Sequence, residues 1–258
     1  MDLGITGRHV LVTGGSKGIG LACAKAFRDE GAQLTIISRS RENLDKAAAI
    51  LGSVGLVTAD LANAEDAARA VEEAEQAGGP IDILVNSAGS ARRTPAEELS
   101  PGHYRAAMDA KFFSYVNVID PVIKRMAARG AGAIVNVIGN GGKVASPIHV
   151  AGGAANAALM LATAGLANAY ATRGIRVVAV NPGLTETERV AEGLEADAKA
   201  QGISVEEARQ RGVSRIALGR YARPEEIADA VVFLASGRAS YISGVSITMD
   251  GVAVPTII

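Results

Sequence analysis

The segment Thr13-Gly14-Gly15-Ser16-Lys17-Gly18-Ile19-Gly20 joins an apolar run, His9–Thr13, to an amphipathic stretch, Ile19–Glu30. A strand that enters a helix through several glycines makes a tight turn lined by bare backbone N–H groups. The helix N-terminus adds partial positive charge at the same point, so the turn suits a pyrophosphate. A glycine triplet alone says little. Here it opens a chain that alternates β-rich and helical stretches to its end, the pattern of a parallel sheet covered on both faces.

The β-rich runs are His9–Thr13, Leu34–Ser38, Leu56–Ala59, Ile83–Asn86, Ala133–Ile138, Val177–Val180 and Val245–Met249. Helical stretches are expected near Ile19–Glu30, Arg41–Leu51, Ala64–Ala77, Pro101–Arg129, Gly153–Thr172 and Pro224–Ala235. Ser100-Pro101 reads as an N-cap and first-turn proline, and Pro121 predicts a kink in the long helix. No repeat or low-complexity linker divides the 258 residues, so one domain over 1–258 is expected. Alternation fails at Leu184–Gly219, a charged Ala/Glu-rich stretch that breaks at Gly202 and Gly212. It reads as one or two short helices, either a solvated excursion or, as we prefer, a lid over substrate. Ligands bind at the carboxyl ends of strands in such sheets, where this insertion begins.

Composition removes other classes. An apolar share of 48% excludes a disordered chain. Lys+Arg of 26 against Asp+Glu of 27 leaves a net charge of −1, which draws the protein to neither nucleic acid nor an anionic membrane. Cys23 stands alone, so an internal disulfide and a cysteine-based zinc site are excluded. His9, His103 and His149 lie in unrelated segments without metal spacing. The opening MDLGITGRHV lacks the apolar core of an export signal, which predicts a cytoplasmic location. Val150–Ala167 approaches the length of a membrane span, but its Ala/Gly composition and missing aromatic belt predict a buried or interface helix.

After the second strand an acidic residue would hold the ribose 2′-OH of NAD(H). This chain has Ser38-Arg39-Ser40-Arg41 there. A guanidinium pairs with a 2′-phosphate through charge-assisted hydrogen bonds, and Lys17 offers a second cation, so NADP(H) is expected over NAD(H). The alternative is that these are ordinary surface charges.

Taken together, these residues resemble the short-chain dehydrogenase/reductase family over nearly the whole chain. Gly14, Ser16, Lys17, Gly18, Ile19 and Gly20 lie in a match to its TGxxxGxG turn, and Asp60-Leu61 resembles its adenine-contacting acidic position. Asn86-Ser87-Ala88-Gly89 matches its NNAG motif with Ser87 in place of Asn. Asn181-Pro182-Gly183 with Thr185 resembles its nicotinamide-side PG motif. Arg223-Pro224-Glu225-Glu226 and the Gly244–Gly251 segment resemble its last helix and strand. The resemblance implies a Rossmann-like, doubly wound parallel sheet of about seven strands. It also implies an NADP(H)-linked oxidoreductase acting on a small carbonyl or alcohol, and a homodimer or homotetramer. The apolar tail Val252–Ile258 is expected to cover a neighbouring subunit.

The family's chemistry rests on an Asn-Ser-Tyr-Lys tetrad. In register this chain has Lys111, Gly139, Gly152 and Asn156. Three ionisable residues are candidate substitutes. Lys111 is first, since its side chain reaches toward the space left at Asn156 and burial would make it a readier proton donor. His149, three residues before Gly152, is second, and Lys143 third. Each also reads as an ordinary structural or solvated side chain. Gly139, Gly141, Gly142, Gly152 and Gly153 would clear space for substrate or offer backbone N–H groups to an anion. Two other functions stay open: a protein that binds NADP(H) without turning it over, as a sensor or partner subunit, and non-redox chemistry in the glycine-lined pocket. Tyr104, Tyr115 and Cys23 read as packing residues.

Overall fold

A computed structural model describes residues 2–89 and 92–255. Seven parallel strands are ordered β3-β2-β1-β4-β5-β6-β7. They are β1 (His9–Thr13), β2 (Gln33–Ser38), β3 (Gly55–Thr58), β4 (Ile83–Asn86), β5 (Gly132–Val137), β6 (Ile175–Pro182) and β7 (Ser246–Met249). The expected parallel sheet is present. Strand order reverses between β1 and β4, which opens a crevice at their carboxyl ends.

Alternating strand side chains feed two cores. On one face Val10, Val12, Ile36, Val85, Val135 and Val178 meet Cys23, Ala24 and Phe27 of α1 (Gly18–Asp29). Leu44 of α2 (Arg41–Leu51) and Ile227 and Val231 of α9 (Pro224–Ala235) complete that face. On the other, Leu11, Ile37, Leu84, Ile134 and Val177 meet α3 (Ala64–Gly78), α5 (Ser114–Arg129) and α6 (Val150–Tyr170). Period-two alternation between two covered faces is what such strands require.

The long helix expected over Pro101–Arg129 is not continuous. α4 (Pro101–Ala107) starts on a Ser100 capping box, then gives way to a π-helical turn, Met108–Phe113, before α5. The departure from α geometry lies in this turn, whereas Pro121 sits inside a continuous α5. A π-turn inserts one extra residue and so re-aims the side chains that follow, a device frequent at functional sites. α6 is long and apolar enough to cross a membrane by length and composition. Its Ala151, Ala155, Leu159 and Ala167 are buried in the molecule's own core, with Leu159 and Ala167 in the cluster on the sheet. The insertion forms α7 (Glu188–Gln201) and α8 (Val205–Val213), separated by Gly202 at a left-handed φ of 65°. Of the apolar tail, residues 256–258 lie outside the described residues.

Candidate active site

A cavity of about 630 Å³ occupies the crevice. Gly14, Ser16, Lys17, Gly18, Ile19 and Gly20 of the first turn line it, with Ser38 and Arg39 after β2 and Asp60 and Leu61 after β3. Ala88 and Gly89 after β4 and Pro182, Gly183 and Thr185 after β6 face the same space. Lys111, Ser114, Val137 and Gly139 complete the wall, and Thr187, Glu188, Val190 and Glu192 bring in the insertion.

The turn has its shape because larger residues do not fit. A Cβ on Gly14 would lie 2.8 Å from the Ala88 backbone at a φ of 65°, and one on Gly20 would collide with the Gly14 carbonyl. The Thr13 hydroxyl accepts from the Ser87 and Ala88 N–H groups, both at 3.2 Å, and donates to Asn86 Oδ1 at 3.3 Å. Ser16 Oγ bonds Ser38 Oγ at 3.0 Å, fixing the turn to the end of β2. Asn86 is fully buried and lies behind the cavity wall, where it orders this network. Two cations stand at the mouth. Lys17 Nζ pairs with Glu188 Oε2 at 3.2 Å, both largely exposed, while Arg39 is exposed and without a hydrogen-bond or ion-pair partner among the described residues. A close-packed glycine cradle at the N-terminus of α1, with an available guanidinium beside it, fits a phosphorylated dinucleotide.

Lys111 lies on the π-turn and is only 7% exposed. Its Nζ donates to Tyr115 Oη at 2.8 Å and to the Val137 carbonyl at 3.1 Å, and lies 4.5 Å from the Tyr115 ring centre. Tyr115 is fully buried, its hydroxyl donates to the same carbonyl, and burial pushes its phenol far above the ordinary range. From the residues alone Tyr115 reads as packing. Its spacing of four from Lys111 on a helix is the signal that would have revealed the pairing.

Gly139 follows β5 at a φ of 125°, a conformation that favours glycine. A Cβ there would lie 3.4 Å from the Asn156 amide nitrogen. Asn156 is buried on α6, and Gly152 is buried in that helix's first turn. His149 is the residue at the head of α6, its ring carbon 2.9 Å from where a Gly141 Cβ would stand. His149, Gly152 and Asn156 lie outside the wall of the large cavity. Lys143 is engaged structurally, its Nζ donating to the Ser246 carbonyl at 3.1 Å and Thr248 Oγ1 at 3.2 Å. Asn140 donates to Asp250 Oδ2 at 2.8 Å, so these bonds fasten the loop after β5 to the end of β7. Sequence reasoning misses that clamp, since its partners are more than 100 residues apart.

The family model described as Enoyl-(Acyl carrier protein) reductase matches residues 14–251. The chain belongs to the short-chain dehydrogenase/reductase family. Among its relatives in this family is the A-factor type gamma-butyrolactone 1′-reductase (1S-forming) of Streptomyces virginiae, 36% identical over 96% of this chain and 95% of the relative. The L-xylulose reductase of Mus musculus is 34% identical over 97% of this chain and 98% of its own. Among solved short-chain dehydrogenase/reductase structures, the L-sorbose reductase of Gluconobacter frateurii, complexed with NADPH and L-sorbose, superposes with a TM-score of 0.94. It is 31% identical, with 100% of both chains covered.

Proposed function

We propose that this short-chain dehydrogenase/reductase is an NADP(H)-dependent oxidoreductase for a small carbonyl or alcohol, with Lys111 as its proton donor. The observation that carries the reading is that Lys111, a buried lysine, lines the same cavity as the glycine turn and Arg39. The NADPH complex of the sorbose reductase, superposable over the whole chain, supports the cofactor. NADP(H) supplies or accepts the hydride. Gly14, Gly18 and Gly20 admit the pyrophosphate, Arg39 and Lys17 hold the 2′-phosphate, Asp60 and Leu61 border the adenine, and Pro182, Gly183 and Thr185 border the nicotinamide.

We assign Lys111, Gly139, Gly152 and Asn156 to the places of the family's Asn, Ser, Tyr and Lys. The approach of Asn156 to Gly139 supports the pairing of those positions. With the usual tyrosine acid gone, Lys111 Nζ–H supplies the proton to the substrate oxygen and its charge stabilises the developing alkoxide. His149 is the second candidate, beside Gly141 at the head of α6. The α7–α8 insertion is the lid: its first turn already walls the cavity and reaches the glycine turn through Lys17 and Glu188. Exposed Leu161, at 76%, and Phe113 offer an apolar face for a homodimer or homotetramer in the cytoplasm.

The test is a panel of small ketones, aldehydes and sugars followed by loss of NADPH absorbance, with wild type and Lys111→Met. Turnover that falls about 10²- to 10⁴-fold in the variant, with NADPH still bound, is expected. Undiminished turnover in Lys111→Met would remove Lys111 from the chemistry.

A further inference from the structure

The Lys111–Tyr115–Val137 cluster carries an inference that rests on the reading of Lys111 as proton donor. We propose that Tyr115 is a positioning residue whose hydroxyl serves Lys111 in both of its protonation states.

Lys111 on the π-turn and Tyr115 in the first turn of α5 meet in a buried corner against the end of β5. A neutral phenol has one hydrogen to give and lone pairs to accept with. In the structure the Tyr115 hydrogen is spent on the Val137 carbonyl, so its oxygen lone pair faces the ammonium at 2.8 Å. That orientation stabilises the charged lysine, adding to the attraction of the ring face. When the Nζ–H bond breaks and the proton forms an O–H bond on the substrate oxygen, whose carbon receives hydride from the reduced nicotinamide, an amine lone pair appears in the same corner. Rotation about the phenol C–O bond turns the Tyr115 hydrogen from Val137 O to that lone pair. The neutral amine is thereby satisfied without moving a backbone atom, and a proton from solvent returns the cluster to its starting state.

Tyr115 itself gives up no proton. It is fully buried and is not part of the cavity wall. Of the elements packed on the cluster, α4 carries His103, Tyr104 and Arg105, the π-turn carries exposed Asp109, α5 carries Asp120, Lys124, Arg125 and Arg129, α6 has His149 at its head and Tyr170 at its end, and strand β5 carries none. Burial pushes the Cys23 thiol up to about 12, so it is neutral near neutral pH and brings no charge to Tyr115.

The experiment reads Lys111 directly, in protein without cofactor. Lysine ¹³Cε resonances are followed against pH, with the Lys111 signal assigned by its loss in Lys111→Arg. In Tyr115→Phe the Lys111 midpoint falls by about one pH unit, because the hydrogen bond lost by the charged ammonium is worth more than the one lost by the neutral amine. The alkaline limb of kcat/KM moves the same way, kcat falls about tenfold, and KM for NADPH holds within about twofold. Incorporation of 3-fluorotyrosine, which weakens the phenol as an acceptor while keeping its shape, moves the same midpoint in the same direction. An unchanged Lys111 midpoint in both proteins overturns the role of Tyr115. Full activity in Lys111→Met with a shifted midpoint in Tyr115→Phe instead overturns the donor reading and leaves the pairing standing.

Discussion

Asn86 donates its Nδ2 hydrogen to Asn136 Oδ1 at 3.0 Å across the register in which the two residues face each other on β4 and β5. Both are buried, and Asn136 passes the chain on to Thr163 Oγ1 at 3.0 Å, which donates to the Leu159 carbonyl at 2.8 Å. With Thr13 at the other end, one run of hydrogen bonds connects the glycine turn, the sheet and α6. Asn136→Leu strands the Asn86 amide and takes a partner from Thr163. We expect a loss of about 2–4 kcal/mol in urea unfolding, from two buried groups that lose partners. Thr163→Val, which removes only the terminal partner, costs less, and equal losses from the two variants would contradict the chain.

Val252 is β-branched yet has a φ of 62°, directly after Gly251 at 64°. The left-handed region strains such a side chain by about 1–2 kcal/mol, and Val252 is 54% exposed, so little burial compensates. Val252→Gly is therefore expected to raise the melting temperature despite the added freedom of glycine in the unfolded chain. A lower melting temperature would contradict the strain.

Glu226 sits at the start of α9, where the Arg220 guanidinium and then the Arg223 N–H hold its carboxyl down at about 2. A folded value below the unfolded one stabilises the protein above the unfolded pKa, and that stabilisation disappears as pH falls from about 4.5 toward 2. Glu226→Gln should flatten the acid limb of stability over that window and leave the slope at neutral pH unchanged, as denaturant midpoints against pH would read.

Much of the fold was legible in the residues. Ser40 caps α2 by accepting from the Asn43 N–H, and Pro224 opens α9, so both helices have the bounds expected from their sequence. The π-turn at Met108–Phe113 was not legible, because shifting the hydrogen-bond register by one leaves no residue signature. Strand β6 begins two residues before the expected run, at Ile175. Arg176 interrupts the apolar pattern there, but its guanidinium is satisfied by the carbonyls of Leu234, Ala235, Ser236 and Ile242. The same distinction runs through the site. The glycine turn and Arg39 are local features, whereas the tie of Lys143 to β7 depends on distant parts of the chain.

At Gly139 the backbone limits any attempt to introduce a side chain. A φ of 125° penalises every side chain, so Gly139→Ser is expected to lower stability by about 1–3 kcal/mol unless the loop after β5 shifts. Calorimetric melting of that variant, compared with Gly152→Ala, reads the penalty, and an unchanged melt would show that the loop relaxes freely.

The cofactor assignment is the central claim, and calorimetric titration with NADPH and NADH tests it most directly, on wild type and Arg39→Asp. The account predicts that wild type binds NADPH more tightly than NADH, and that Arg39→Asp weakens NADPH by about 10- to 100-fold while changing NADH far less. Failure of the wild type to bind either nucleotide, or equal losses for both in Arg39→Asp, would contradict it.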